Sequence, residues 1–257
     1  MNGAFYVGAT GLQAQQKALD VVANNISNIN TMAFKRSEVR FAELLGPVVQ
    51  RDSTEPTLIG SPSDVLNGVQ ANEAMRIFQQ GDLRETGKPF DIAVSGDGFI
   101  ELMGLGGQTW LWRGGTMRVN ADGLLEAEGG MVLKALIEVP EDSVDLRIDR
   151  DGVVRSLSVG AETAEEIGTI VLAMPRDPQN IEALGSGFYR VPDDGELATL
   201  INGQDGGVLV QGSLEASNVE LTTEMVTLLL LQRAYAANAQ AVQAGDQLMS
   251  IANNLRR

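Results

Sequence analysis

Residues 5–35 read FYVGATGLQAQQKALDVVANNISNINTMAFK. Phe5, Gly8, Leu12, Gln15, Leu19, Val22, Ile26 and Ile29 recur at three- and four-residue intervals, which draws an apolar or small-residue stripe down one helical face. The spacing predicts an amphipathic helix of roughly 25 residues, about 40 Å long at ~1.5 Å per residue, with Leu12, Leu19, Val22 and Ile26 as its packing residues. At the other end of the chain Leu221, Leu228, Tyr235, Val242 and Met249 are spaced by seven, Leu231 and Ala252 add the second seam position in places, and Glu224, Asn238 and Gly245 interrupt it. Ser217 followed three residues later by Glu220 reads as a capping box, so this helix is expected to run from there to about Leu255. Two narrow seams at opposite ends of one chain pair with each other in a coiled-coil-like manner, and they leave further faces for neighbouring chains.

Charge and punctuation separate the middle from the ends. The 257 residues carry a net charge of −15; residues 1–45 hold +1 and residues 218–257 hold 0, which leaves −16 for residues 46–217. Within that acidic middle, short β-branched or alternating runs such as Gly98–Leu102, Val132–Val139 and Val153–Val159 are broken by glycine pairs and by Asp-Gly. Asp97-Gly98, Asp122-Gly123, Asp151-Gly152, Asp194-Gly195 and Asp205-Gly206 are read as hairpin turns, which Asp-Gly suits because both central residues can take positive φ at little cost. Residues 46–68, with Gly46, Pro47, Pro56, Gly60, Pro62 and Gly68, read as a long loop or extended arm. The fold class is therefore α+β: a terminal helical domain of residues 1–35 and 216–257, an arm or linker over 36–70, and a β-rich outer domain over 71–215.

Most enzyme chemistry is excluded by composition. Without cysteine there is no thiolate nucleophile and no Cys-ligated metal, and without histidine the commonest general base and metal ligand are missing. The acidic balance argues against a nucleic-acid partner, and no apolar run approaches the ~18 residues of a membrane span. The N-terminus shows no basic region followed by an apolar core, so no ordinary secretory signal is expected. Gly96-Asp97-Gly98 lacks the third glycine of a dinucleotide fingerprint, and Arg147 occupies a position that a calcium loop over Asp145, Asp149 and Asp151 would need for an oxygen ligand. Among Glu126, Glu128, Glu138, Glu141 and Asp142 nothing singles out a catalytic pair. No cofactor and no metal are expected.

The wording at the end of the first helix is unusual. Ala23-Asn24-Asn25-Ile26-Ser27-Asn28-Ile29-Asn30-Thr31 places four asparagines in seven positions, although asparagine competes for helix backbone hydrogen bonds. The amides are expected either to bond between chains or to end the helix near Asn30, and Lys35, Arg36 and Arg40 to form a solvated face or else an inter-subunit contact. This run, continued by Met32-Ala33-Phe34-Lys35, resembles the N-terminal signature of the axial proteins of the bacterial flagellum, the rod and hook family. Ala33 stands where that family usually has glycine, from which the backbone at 33 is expected to avoid positive φ. Gly212-Ser213-Leu214-Glu215-Ala216-Ser217-Asn218-Val219-Glu220 with Gln232-Arg233-Ala234-Tyr235-Ala236-Ala237-Asn238 resembles the C-terminal signature, and residues 80–99, QGDLRETGKPFDIAVSGDGF, a third motif.

The resemblance implies a structural subunit. Its length and arm are similar to a rod member, most like the distal one, with a proximal rod member as the alternative. It implies Asn24, Asn25, Asn28, Asn30, Thr31, Phe34, Lys35, Ser217, Asn218, Gln232, Arg233, Tyr235 and Asn238 as assembly-motif residues, with Leu228, Val242 and Met249 joining the helix packing. The implied partners are further copies in a helical homopolymer, other rod proteins, the hook protein, the envelope rings and the flagellar type III export apparatus, without membrane insertion. Gln240, Gln243, Gln247 and Asn254 become candidates to line an axial channel or simply a hydrated helix face. A β-rich extracellular binding module is the reading from another class.

Overall fold

A computed structural model describes residues 2–43, 69–72, 74–104, 107–192, 195–203 and 206–255; the side chains of residues 2–5, 43, 249, 252, 253 and 255 are outside the description. The expected arm at 46–68 lies outside the described residues, as do the side chains of Phe5, Met249 and Ala252. The chain forms two compact units. One holds the two long helices with residues 37–43 and 69–75, and the other holds Asn28–Arg36 together with Arg76–Val219.

In the helical unit, α1 spans Asn2–Ser27 and α2 spans Leu221–Leu255, and the two pack on each other. The face of α1 that disappears from solvent is small: Ala14, Ala18 and Val22 are buried, whereas the predicted Leu12, Leu19 and Ile26 are half-buried. The reason is close helix approach. A Cβ at Gly8 would lie 2.5 Å from Val242 Cγ2, so glycine there lets the backbone of α1 meet a β-branched side chain of α2. Predicted Leu228 and Val242 are half-buried on α2. The strands Phe41–Glu43 and Val69–Ala71 pair antiparallel in the same unit. No described helix is long and apolar enough to cross a membrane.

The capping box is not formed. Glu220 itself precedes α2, and its carboxylate accepts hydrogen bonds from the hydroxyls of Thr222 (3.0 Å) and Thr223 (2.7 Å), which hold its pKa below the usual carboxylate value. Ser217 Oγ instead accepts from Val219 N at 3.3 Å. The two hydroxyls next to Glu220 outbid the reciprocal Ser-Glu arrangement.

The β unit is antiparallel. Five strands run in the order Met131–Val132, Leu125–Ala127, Gly114–Val119, Asp91–Ser95 and Val208–Gln211. Six more run Glu182–Gly185, Phe188–Arg190, Thr109–Trp112, Phe99–Met103, Leu172–Pro175 and Leu197–Leu200. A three-stranded sheet of Ser143–Ile148, Val153–Ser158 and Glu165–Thr169 and a ribbon of Leu83–Glu85 with Ser213–Glu215 complete it. Ile92, Ile100, Leu102, Trp112, Leu125 and Leu172 are the centre of a core that all the larger sheets share. A second cluster seats Phe78, Phe99 and Tyr189 with ring centroids 5.5–5.9 Å apart, and burial pushes the Tyr189 hydroxyl pKa up to about 12.

The Asp-Gly turns differ from expectation in one respect. Gly123 and Gly152 have φ of +81° and +87°, but Asp122 and Asp151 do not enter the left-handed region. Gly123 N bonds to Asn120 O and Asn120 N to Leu124 O, and Gly152 and Asp149 repeat the pattern with Val153. These are turns of ordinary hand closed by one left-handed glycine, the longer hairpin loop in which only the last residue needs positive φ. Asp194 and Asp205 lie outside the described residues. Truncating the core tests the shared centre: Leu102→Ala is expected to cost about 2–5 kcal/mol in urea unfolding, in a single transition followed by tryptophan fluorescence.

Candidate functional site: a buried charge cluster joining the motifs

Glu215 ends the strand Ser213–Glu215 with its side chain fully enclosed. Its Oε1 accepts from Lys35 Nζ at 2.6 Å and from Gly81 N at 2.9 Å, and its Oε2 accepts from Arg113 Nε at 3.2 Å. Its carbonyl accepts from Ala33 N at 2.9 Å. Lys35 Nζ also donates to Gln79 O at 3.0 Å, while Arg113 donates to Gly98 O at 2.6 Å and Gly96 O at 3.0 Å and stacks over Phe99 at 5.5 Å. One carboxylate and two cations are thus taken from water with nearly all their hydrogen bonding made internally, the condition under which buried charge is tolerated. Gly81 is needed for this approach, since a Cβ there would sit 2.1 Å from Ala216 O.

Asn218 adds a second layer. Its Oδ1 accepts from Arg36 N at 2.6 Å, and its Nδ2 donates to Ile77 O and Gln79 O at 2.8 Å each. Asn218 N donates to Phe34 O at 3.3 Å. The N-terminal signature beyond Asn28, the QGD stretch and the GSLEASN stretch are therefore one structure. Their wording is that of a three-way backbone junction.

Lys35 overturns the solvated-face expectation: it is 2% exposed. Burial drives its pKa down from 10.5 and Arg113 adds to that, against the opposing pull of Glu215. Ala33 overturns the second expectation, with φ +53° and 1% exposure. The backbone at 33 is left-handed although alanine occupies it, because the bond from Ala33 N to Glu215 O and the burial of its methyl hold it there.

In the helical unit, Asn25 is fully buried. Its amide exchanges two bonds with Ser37, Nδ2 to Ser37 O at 2.8 Å and Ser37 N to Oδ1 at 3.0 Å, and donates to Glu224 Oε2 at 3.2 Å. Its partners are thus in its own chain, and Glu224, an interruption in the heptad pattern, is 0% exposed because it meets this amide. Asn28 accepts from the Thr31 hydroxyl at 3.1 Å, and Thr31 N bonds to Asn28 O as the chain leaves α1 three residues before Asn30. Asn24, Asn30, Gln232, Arg233 and Tyr235 are exposed, Phe34 and Asn238 half-buried. Sequence reasoning quoted Glu215 inside a motif without a role and missed Arg113. The available signal was a lone acid in a strand between apolar Leu214 and Ala216, matched by a lone lysine in the N-terminal motif.

Family comparisons agree with this geometry. Residues 5–35 match the flagella basal body rod protein family, 93–156 the flagellar hook protein FlgE/F/G D1 domain, and 210–255 the flagellar basal body rod FlgEFG protein C-terminal family. The chain is 34% identical to the flagellar basal-body rod protein FlgG of Borreliella burgdorferi over the whole of both chains. It is 31% identical to FlgG of Caulobacter vibrioides, covering 98% of this chain and 99% of that one, and 28% to FlgF of the same organism, covering 96% and 95%. A subunit with paired terminal helices and an antiparallel β unit is a structural protein of the flagellar axis, not an enzyme. The chain belongs to the flagellar basal-body rod protein family.

Two outcomes test the cluster. Glu215→Ala leaves Lys35 and Arg113 buried without a counter-charge and is expected to cost about 3–5 kcal/mol in chemical unfolding. The lowered pKa of Lys35 gives a pH signature: below 10.5 the unfolded chain binds the proton that the folded chain has begun to lose, so this residue's contribution to stability rises with pH. The unfolding free energy of the wild type minus that of Lys35→Met should therefore increase as the pH is raised toward 10.5.

Proposed function

We propose that the chain is the distal subunit of the rod, polymerising helically into the drive shaft that passes torque to the hook and encloses the export channel. One observation carries the reading. Met225, Val226, Leu229 and Leu230 on α2 are 49–61% exposed, a run of apolar side chains that one chain leaves uncovered and a neighbouring copy would bury. The distal position is favoured over the proximal one by relatives named FlgG, including the higher identity to FlgG than to FlgF within Caulobacter vibrioides.

On this reading the motif residues divide by burial. Asn25, Lys35 and Asn218 hold the subunit's own junctions, while Asn24, Asn30, Gln232, Arg233 and Tyr235 face neighbouring copies. Leu12, Leu19, Val22, Ile26, Leu228, Val242 and Met249 form the coiled-coil-like seam, and residues 36–70 are the arm or linker between the helical and β-rich parts of the sequence. Gln240, Gln243, Gln247 and Asn254 line the channel as neutral amides. Other rod proteins and the hook protein are the axial neighbours, the envelope rings surround the rod in the periplasm, and the subunit leaves through the type III export apparatus without a cleaved signal.

Tagged electron microscopy of detergent-extracted hook-basal bodies tests the placement. Label on the shaft between the envelope rings and the hook is expected; label nearer the inner membrane replaces the distal with the proximal reading, and absence of label overturns both. Leu229→Asp with Leu230→Asp should abolish rod growth while leaving the far-ultraviolet β signal of the isolated subunit unchanged.

A further inference from the structure

Asn202 ties three parts of the β unit together. Its Nδ2 donates to Ile170 O at 2.8 Å and to Asp151 O at 3.0 Å, and its Oδ1 accepts from Leu172 N at 3.2 Å. One amide thus joins the turn at 149–152, the start of the strand Leu172–Pro175 and the loop that follows the strand Leu197–Leu200. Ile170 N closes the same corner by donating to Gly152 O at 2.8 Å. Gly152 leaves the room, since a Cβ there would lie 2.4 Å from Asn202 Nδ2. The next residue, Gly203, is exposed and left-handed at φ +78°. In an Asn-Gly pair the following backbone nitrogen reaches the side-chain amide carbon with least obstruction, because glycine sets no Cβ in its path, and asparagine is a thermolabile residue for this reason. Here both reactants are engaged elsewhere: Gly203 N donates to Gly207 O at 3.1 Å, and the Asn202 amide is held by its three bonds.

We infer that Asn202-Gly203 is a latent deamidation site, held shut by the folded β unit, open whenever this corner opens, and self-locking once it has reacted. Gly203 N bonds to Asn202 Cγ, the Cγ–Nδ2 bond breaks, and ammonia leaves with the two Nδ2 protons and the proton given up by Gly203 N. Water then opens the succinimide ring at one carbonyl or the other, which leaves aspartate, or isoaspartate with the main chain running through Cγ. Neither product restores the clamp. A carboxylate has no proton for Ile170 O or Asp151 O, and it sets a negative charge against both. A chain that reacts while open is therefore unable to close this corner as before. The ties belong to the single chain, whatever its place in the rod.

Peptide mapping by mass spectrometry of the full-length subunit, held at mildly alkaline pH with and without guanidinium chloride, tests the closure. Position 202 should convert at least about tenfold more slowly in the folded chain than in denaturant, and in denaturant it should keep pace with Asn67-Gly68, the same pair elsewhere in the sequence. Asn202→Asp reads the consequence: hydrogen exchange at the Ile170 and Leu172 amides should accelerate at least about tenfold over the wild type while the Leu102 amide is unchanged. Equal conversion with and without denaturant would overturn the inference, as would an Asn202→Asp chain with wild-type exchange at 170 and 172. If that variant does not fold, wild-type chains partly converted in denaturant are refolded and treated with protease. Loss of the converted form from the resistant fraction is then the expected result, and an equal share of converted and unconverted chains there would contradict the self-locking.

Discussion

The carboxylate of Glu215 is the constraint on which the β unit depends. It comes from the last strand before α2, and it is satisfied by a lysine from the segment after α1, by the backbone of Gly81 and by Arg113 beside a central strand. Removing two cations and an anion from water is expensive, and apolar residues of the same volume often give equal or greater stability. Direction is what the charges add. Leucine in place of Lys35 would bury apolar surface in many arrangements, whereas an ammonium that must meet both Glu215 and the Gln79 carbonyl accepts very few. Chain ends separated by 180 residues are thereby brought to one register.

Asn25 does the same work in the helical unit at lower cost. An amide offers a donor and an acceptor on one face, so it pairs with both backbone groups of Ser37 as a strand would, and its second proton meets Glu224 at the start of α2. Asparagine is a poor helix residue in isolation. Here its preference for backbone partners is what fastens the segment beyond the helix back onto α1.

Much of this architecture is legible in the residues. Period gave both helices and their approximate ends, and glycine-punctuated β-branched runs marked the antiparallel middle. Two of the misread details share a cause, a partner distant in sequence: Lys35 looks solvated until Glu215 is beside it, and Ala33 looks free to avoid the left-handed region until its N–H has an acceptor. The third is a local competition, in which Ser217 looks like half of a cap until the neighbouring Thr223 and Thr222 hydroxyls reach Glu220. Local rules describe what a residue prefers, and a buried junction selects what it can be made to do.

That a single carboxylate couples segments so far apart is a claim about interaction energy. A double-mutant cycle of Lys35→Met and Glu215→Gln, measured by urea unfolding of the isolated subunit, reads it directly. A coupling energy above about 1.5 kcal/mol is the result expected of a buried, hydrogen-bonded ion pair. Additive effects within about 0.5 kcal/mol would mean that the two residues do not depend on each other, and that something other than Glu215 holds the junction.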